Sequence, residues 1–141
     1  MPTRTATATW EGGLKGGKGS FKGESGAISA NYSFGSRFEN GAGSNPEELL
    51  AAAEAACFSM ALAVGLEQAG TPSTKIDTKA ACTVEKQAEG FTITTMKLTV
   101  RATVPGVDKA AFQKAVQATK VGCPVSKALT GVKIDVDAEL V

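Results

Sequence analysis

Histidine is absent from the chain. That removes Ser-His-Asp and Cys-His activation of a nucleophile, histidine general bases and most zinc sites. No metal and no cofactor is expected. Aromatic residues make up only 6% of the 141 positions, too few for a base-stacking platform. The formal net charge is +1, so there is no basic field for nucleic acid and no acidic tail. The opening "MPTRTATATW" has no apolar signal region. The longest apolar run follows Pro46, but it is alanine-rich and carries Glu54 at its centre, so no membrane span is expected. Cysteine is scarce and odd in number, with three residues, Cys57, Cys82 and Cys123. This argues against a secreted disulfide framework and for a reducing, cytoplasmic setting. Chemistry is left to Cys, carboxylates, Lys, Arg, Ser, Thr or Tyr.

What remains fits a single domain over residues 1–141, long enough to bury a real core. "TRTATATWEG" suits a strand, and "GGLKGGKGSFKGESG" suits turns with a short irregular strand around Gly19 to Phe21. Those glycines carry no GxxxxGK[ST] and no helix follows, which disfavours a phosphate loop. "AISANYSF" alternates as a strand, and "GSRFENGAGS" reads as a loop. Asn45, Pro46, Glu47 and Glu48 then open a helix that should run to about Gln68 or Ala69, stop at Gly70 and be buried nearly all round. "KIDTKAACTVEKQ" and "GFTITTMKLTVRATVP" predict a hairpin turning at "QAEG", with either a bulge or two-sided burial where Phe91 and Ile93 change face. A helix capped by Asp108, a very short helix after Cys123 and an alternating strand, "VKIDVDAELV", complete the chain. The order predicts an α+β fold of antiparallel sheet packed on helices.

The cysteines divide by position. Cys82 sits mid-strand between Ala80 and Val84 and reads as core. Cys57 lies too deep in its helix to feel the N-terminal dipole and reads either as filler or as a thiol that needs a cation. Cys123, at a helix N-cap, has backbone amides pointed at its sulfur or is merely a poor cap. Arg37, flanked by Phe34 and Phe38, is either partly buried against Glu47, Glu48 or Glu54, or a solvated loop residue. Glu47 and Cys57 are ten residues apart, about 15 Å along one helix. If Arg37 joins them, acid and thiol belong to different subunits of an isologous dimer built on two antiparallel copies of this helix.

The stretches "KGSFKGESG", "SRFENGAGSNPEELLAAAEAACFSMAL" and "VGCPVSKAL" together resemble the OsmC/Ohr family, on its OsmC side, over essentially the whole chain. The resemblance implies an OsmC-like α+β fold, with antiparallel sheets against long central helices in an intertwined cytoplasmic homodimer. It implies a thiol-dependent peroxidase acting on organic hydroperoxides in oxidative and osmotic stress defence. Cys57 matches the peroxidatic cysteine, Cys123 the resolving one, Arg37 the arginine holding thiolate and peroxide, and Glu47 its paired carboxylate. Glu48 then serves to cap the helix. The family reading implies a sulfenic acid on Cys57, a Cys57–Cys123 disulfide and an external dithiol reductant, lipoyl-type in one branch. Phe34, Phe38, Phe58 and Met60 are expected to wall the substrate pocket. The competing readings are a non-catalytic peroxide sensor or hydrophobic-ligand-binding dimer using the same pocket, and a structural dimer with inert thiols.

Overall fold

The computed structural model describes residues 1–141. The chain forms two compact units, residues 1–49 and 50–141.

In the first unit, β1 (Ala6–Glu11), β2 (Lys18–Gly23) and β3 (Ser29–Tyr32) form an antiparallel meander. Gly19 pairs with both Trp10 and Tyr32. A Cβ there would come within 2.5 Å of the Tyr32 ring, and the Trp10 and Tyr32 rings pack 5.4 Å apart over the gap. That glycine is therefore room for aromatic packing. The segment expected as loop after β3 instead contains a one-turn helix, α1 (Phe34–Phe38). Ser33 and Ser36 close a reciprocal capping box on it, and Ser36 Oγ also donates to the Ser44 carbonyl at 2.7 Å. Phe34 accordingly belongs to α1, and the predicted strand is shorter than its alternation suggested.

α2 (Pro46–Gln68) starts as its sequence dictates. The Glu48 amide donates to Asn45 Oδ1 at 2.8 Å, and Pro46 occupies the first turn, where no donor is needed. The helix ends where Gly70 takes a φ of +86° and its amide donates to the Glu67 carbonyl.

In the second unit, β4 (Lys75–Gln87), β5 (Gly90–Thr103) and β6 (Lys133–Leu140) form a sheet in the order β4-β5-β6. β4 and β5 are the predicted antiparallel hairpin, and the register shifts between Thr83 and Val84, so Thr94 is the extra residue of a bulge. The bulge places Ile93 opposite Val84, on the same face as Met96. β6 departs from the antiparallel expectation, because it pairs with β5 in parallel. Its alternating pattern sets which face is buried but carries no direction. α3 (Lys109–Gly122) and α4 (Pro124–Ala128) make the crossover between them. Asp108 caps α3, which buries Phe112, Val116 and Thr119.

The core joins Phe58, Leu62 and Leu66 of α2 to Met96, Leu98, Val100 and Ala102 of β5 and to Phe112 and Val116 of α3. Each fully buried side chain of this size contributes about 1.5–3 kcal/mol. The expectation that α2 is buried all round is corrected here. A single stripe with helical spacing, Glu54, Phe58, Leu62 and Leu66, faces inward, while Met60 and Val64 are 73% and 49% exposed. By length and composition alone α2 is long and apolar enough to cross a membrane, as the core helix of a soluble protein also is, and 22% of its apolar window is buried.

Candidate active site

The turn between α3 and α4 is set by Cys123. Its amide donates to the Thr119 carbonyl at the end of α3, and its carbonyl accepts from Lys127 at the start of α4, each at 2.9 Å. Pro124 fixes the first position of α4. This double role holds the Cys123 side chain inward, fully buried, against the middle of α2. There its Sγ lies 3.0 Å from Sγ of Cys57, both thiols being free. The sulfur of Cys123 makes no capping bond to α4. Of the two readings of Cys123, the poor cap is the one that fits, and the Val125 amide donates to Cys57 instead.

Cys57 is half-buried and Cys123 is closed off, so a reagent reaches Cys57 first. Burial pushes the Cys57 thiol above its ordinary value, and the contact with Cys123 and the charge of Glu54 push the same way. The Val125 amide opposes them, and no cation acts on the thiol. Cys57 opens into a groove of about 820 Å³, walled by Met60 and Val64 of α2 and by Ala115 and Ala118 of α3, with Lys114 also lining it. Of the expected pocket residues, Met60 is part of this wall. Phe58 is not; it is fully buried in the core. The apolar run around Cys57 gave both residues the same standing in the sequence, and the helical phase separates them.

The first unit holds the other two predicted site residues. Arg37 at the end of α1 grips Glu47 in the first turn of α2. Its Nη2 donates to Oε1 at 2.7 Å, and its Nε donates to Oε1 and Oε2 at 3.1 and 3.2 Å. The Glu47 carboxylate is almost wholly buried, while about a third of the Arg37 side chain is exposed. Nothing bonds Nη1. The Phe38 ring lies under the guanidinium at 5.1 Å, and Phe34 packs 5.1 Å from Phe38. Arg37, Phe34 and Phe38 line a small cavity of about 260 Å³ with Trp10, Leu14 and Tyr32. Glu48 stands apart, accepting from Ser44 Oγ at 3.0 Å. Asn45 Nδ2 donates to the Ser36 carbonyl, which ties the intervening segment to α1.

Two residues at the thiol pair were not assigned from sequence. Glu54, weighed only as a partner for Arg37, is fully buried and accepts from Ser126 Oγ. A lone carboxylate inside an apolar helix was the available signal. The Val125 amide left no signal, because a backbone donor has no sequence signature.

Two free thiols thus face each other, one of them open to an apolar groove. The OsmC-like protein family matches residues 39–137. The protein named Peroxiredoxin OsmC of Escherichia coli (strain K12) is 46% identical over 134 residues, covering 94% of this chain and 93% of its own. Among solved structures, the organic hydroperoxide resistance protein OhrB of Bacillus subtilis superposes with a TM-score of 0.75 at 26% identity, over 96% of this chain and 98% of its own. An organic hydroperoxide resistance protein of Elizabethkingia anophelis gives 0.76 at 25% identity, over 100% and 98%. The chain belongs to the OsmC-like protein family.

Proposed function

We propose that the chain, a peroxidase of this family, reduces organic hydroperoxides to alcohols through Cys57 and Cys123, in oxidative and osmotic stress defence. The observation that carries this reading is the 3.0 Å approach of a closed-off thiol to one that faces an apolar groove. The Cys57 thiolate attacks the terminal peroxide oxygen; the O–O bond breaks, Cys57 becomes a sulfenic acid and the alkoxide takes up a proton. Cys123 then condenses with the sulfenic acid, releasing water and forming the disulfide. An external dithiol, of lipoyl type or another, reduces that disulfide by exchange.

A thiol raised by burial needs a cation to work at neutral pH. Arg37, oriented by Glu47 and with Nη1 unbonded, is the cation of choice, and it also stabilises the departing alkoxide. Glu47 stands ten residues from Cys57, about 15 Å along α2, so a site with both takes Arg37 and Glu47 from a second copy of the chain. The exposed apolar side chains Met60 and Val64 support a homodimer packed along α2. Phe34, Phe38 and Met60 then complete the apolar walls, in the reducing setting of the cytoplasm. Dithiol-dependent turnover of cumene hydroperoxide by wild type, lost in Cys57→Ser, tests the proposal; a wild type that does not turn over overturns it.

A further inference from the structure

α2 and α4 are tied by side chains at two places. One is the Cys57–Cys123 contact; the other is the bond from Ser126 Oγ to Glu54 Oε1 at 2.5 Å. Glu54 precedes Cys57 by three residues, and Ser126 follows Cys123 by three. The contacts are thus two antiparallel rungs, 57 with 123 and 54 with 126. Residues three apart on a helix share a face, with Cβ atoms about 5–6 Å apart, so the rungs are adjacent.

The second rung is expensive to keep. Glu54 is wholly buried, and its Oε2 has no partner. A polar oxygen in that condition is costly, and an apolar pair would join the helices at less cost. α4, in turn, is held besides by the backbone bonds of Cys123 and by Leu129 against the core. It has five residues and no side-chain cap, and Ser126 is its buried residue. A helix that short has no stability of its own.

We infer that the Glu54–Ser126 rung is the positioning device for disulfide closure, holding α4 so that the Cys123 sulfur stays over that of Cys57. This rests on the thiol-pair reading above. In that step the Cys123 sulfur supplies the electron pair to the sulfenic sulfur, and the S–S bond forms as the S–O bond breaks. Hydroxide leaves and takes the Cys123 proton to become water. The competing reaction is oxidation of the sulfenic acid by a second hydroperoxide to sulfinic acid. The rung decides the partition between them, and it touches neither the peroxide nor the Cys57 sulfur.

Rapid-quench mass spectrometry with excess cumene hydroperoxide reads both steps. In Ser126→Ala the first oxidation should stay within about twofold of wild type, while disulfide closure slows about tenfold or more and sulfinic acid accumulates on Cys57. Ser126→Thr, which keeps the hydroxyl, should restore closure. The double variant Glu54→Ala/Ser126→Ala leaves no carboxylate unpaired and should close as slowly as the single. Closure at the wild-type rate in Ser126→Ala and in the double variant, or equal slowing of both steps, overturns the inference. A wild type that forms no Cys57–Cys123 disulfide overturns the thiol-pair reading itself.

Discussion

The Sγ atoms of Cys57 and Cys123 lie 3.0 Å apart although 66 positions separate them in sequence. The contact is asymmetric, since Cys57 reaches the groove and Cys123 reaches only Cys57. Roles follow from that asymmetry. One equivalent of hydroperoxide per chain should remove two thiols from wild type and none from Cys57→Ser. Cys123→Ser should consume its first equivalent normally and form no disulfide, a second equivalent carrying Cys57 to sulfinic acid. Cys82 pairs with Met96 across β4 and β5 and packs against the core, so Cys82→Ser should retain the full stoichiometry. Thiol counts before and after titration check all three.

The pH dependence of Cys57 should reveal where its cation comes from. Within one chain, burial holds the thiol above its ordinary value, which disfavours the thiolate. A guanidinium brought to the sulfur reverses the sign. The alkylation rate of wild type should therefore titrate well below that of Arg37→Ala, whose midpoint should lie above the ordinary thiol value. Identical profiles would falsify the role of Arg37. The same substitution should cost about 10²–10³ in kcat/KM, the usual loss when one oxyanion donor is removed.

Arg37→Lys should fail almost as badly. Arg37 meets Glu47 through Nε and Nη2 together, a fork that an ammonium cannot reproduce. Retained charge with lost orientation should leave less than about a tenth of the activity. Wild-type kcat/KM in the lysine variant would show that charge alone suffices and that the Glu47 contact is incidental.

Much of this arrangement was legible because it depends on local chemistry. Asn45 and Pro46 start α2, Gly70 ends it, Asp108 caps α3, and the change of face at Ile93 marks the bulge. What was not legible depends on relations the chain does not spell out. α1 hides in a glycine-flanked segment because its capping box is made by two serines. α2 is so uniformly apolar that its sequence shows no face, which is why Phe58 and Met60 could not be told apart. The resemblance placed Cys57, Cys123, Arg37 and Glu47, but the Ser126–Glu54 bond depends on how α4 meets α2, and that is a property of the fold.

The groove beside Cys57 is walled by alkyl side chains, and the cavity beside Arg37 by aromatic ones. Such surfaces gain from burying a substrate's hydrocarbon, about 0.8 kcal/mol per CH₂, and hydrogen peroxide has none to bury. Cumene hydroperoxide should therefore exceed hydrogen peroxide in kcat/KM by about tenfold or more. Comparable values for the two would sink the proposed preference.

The proposed sharing of sites between subunits has its own signature. Arg37→Ala and Cys57→Ser are each inactive as homodimers. In a mixed dimer, the Cys57 of the first chain meets the Arg37 of the second, and one site of the two is intact. If Arg37 instead served the Cys57 of its own chain, no mixed dimer would hold an intact site. Equal mixing with free subunit exchange gives half mixed dimers, so the mixture should recover about a quarter of wild-type activity. Val64, half-exposed on the apolar face of α2, supplies the control. Val64→Asp should lower the oligomeric mass in light scattering and abolish the recovery. A mixture that stays inactive while native mass spectrometry records mixed dimers would return Arg37 to its own chain's thiol.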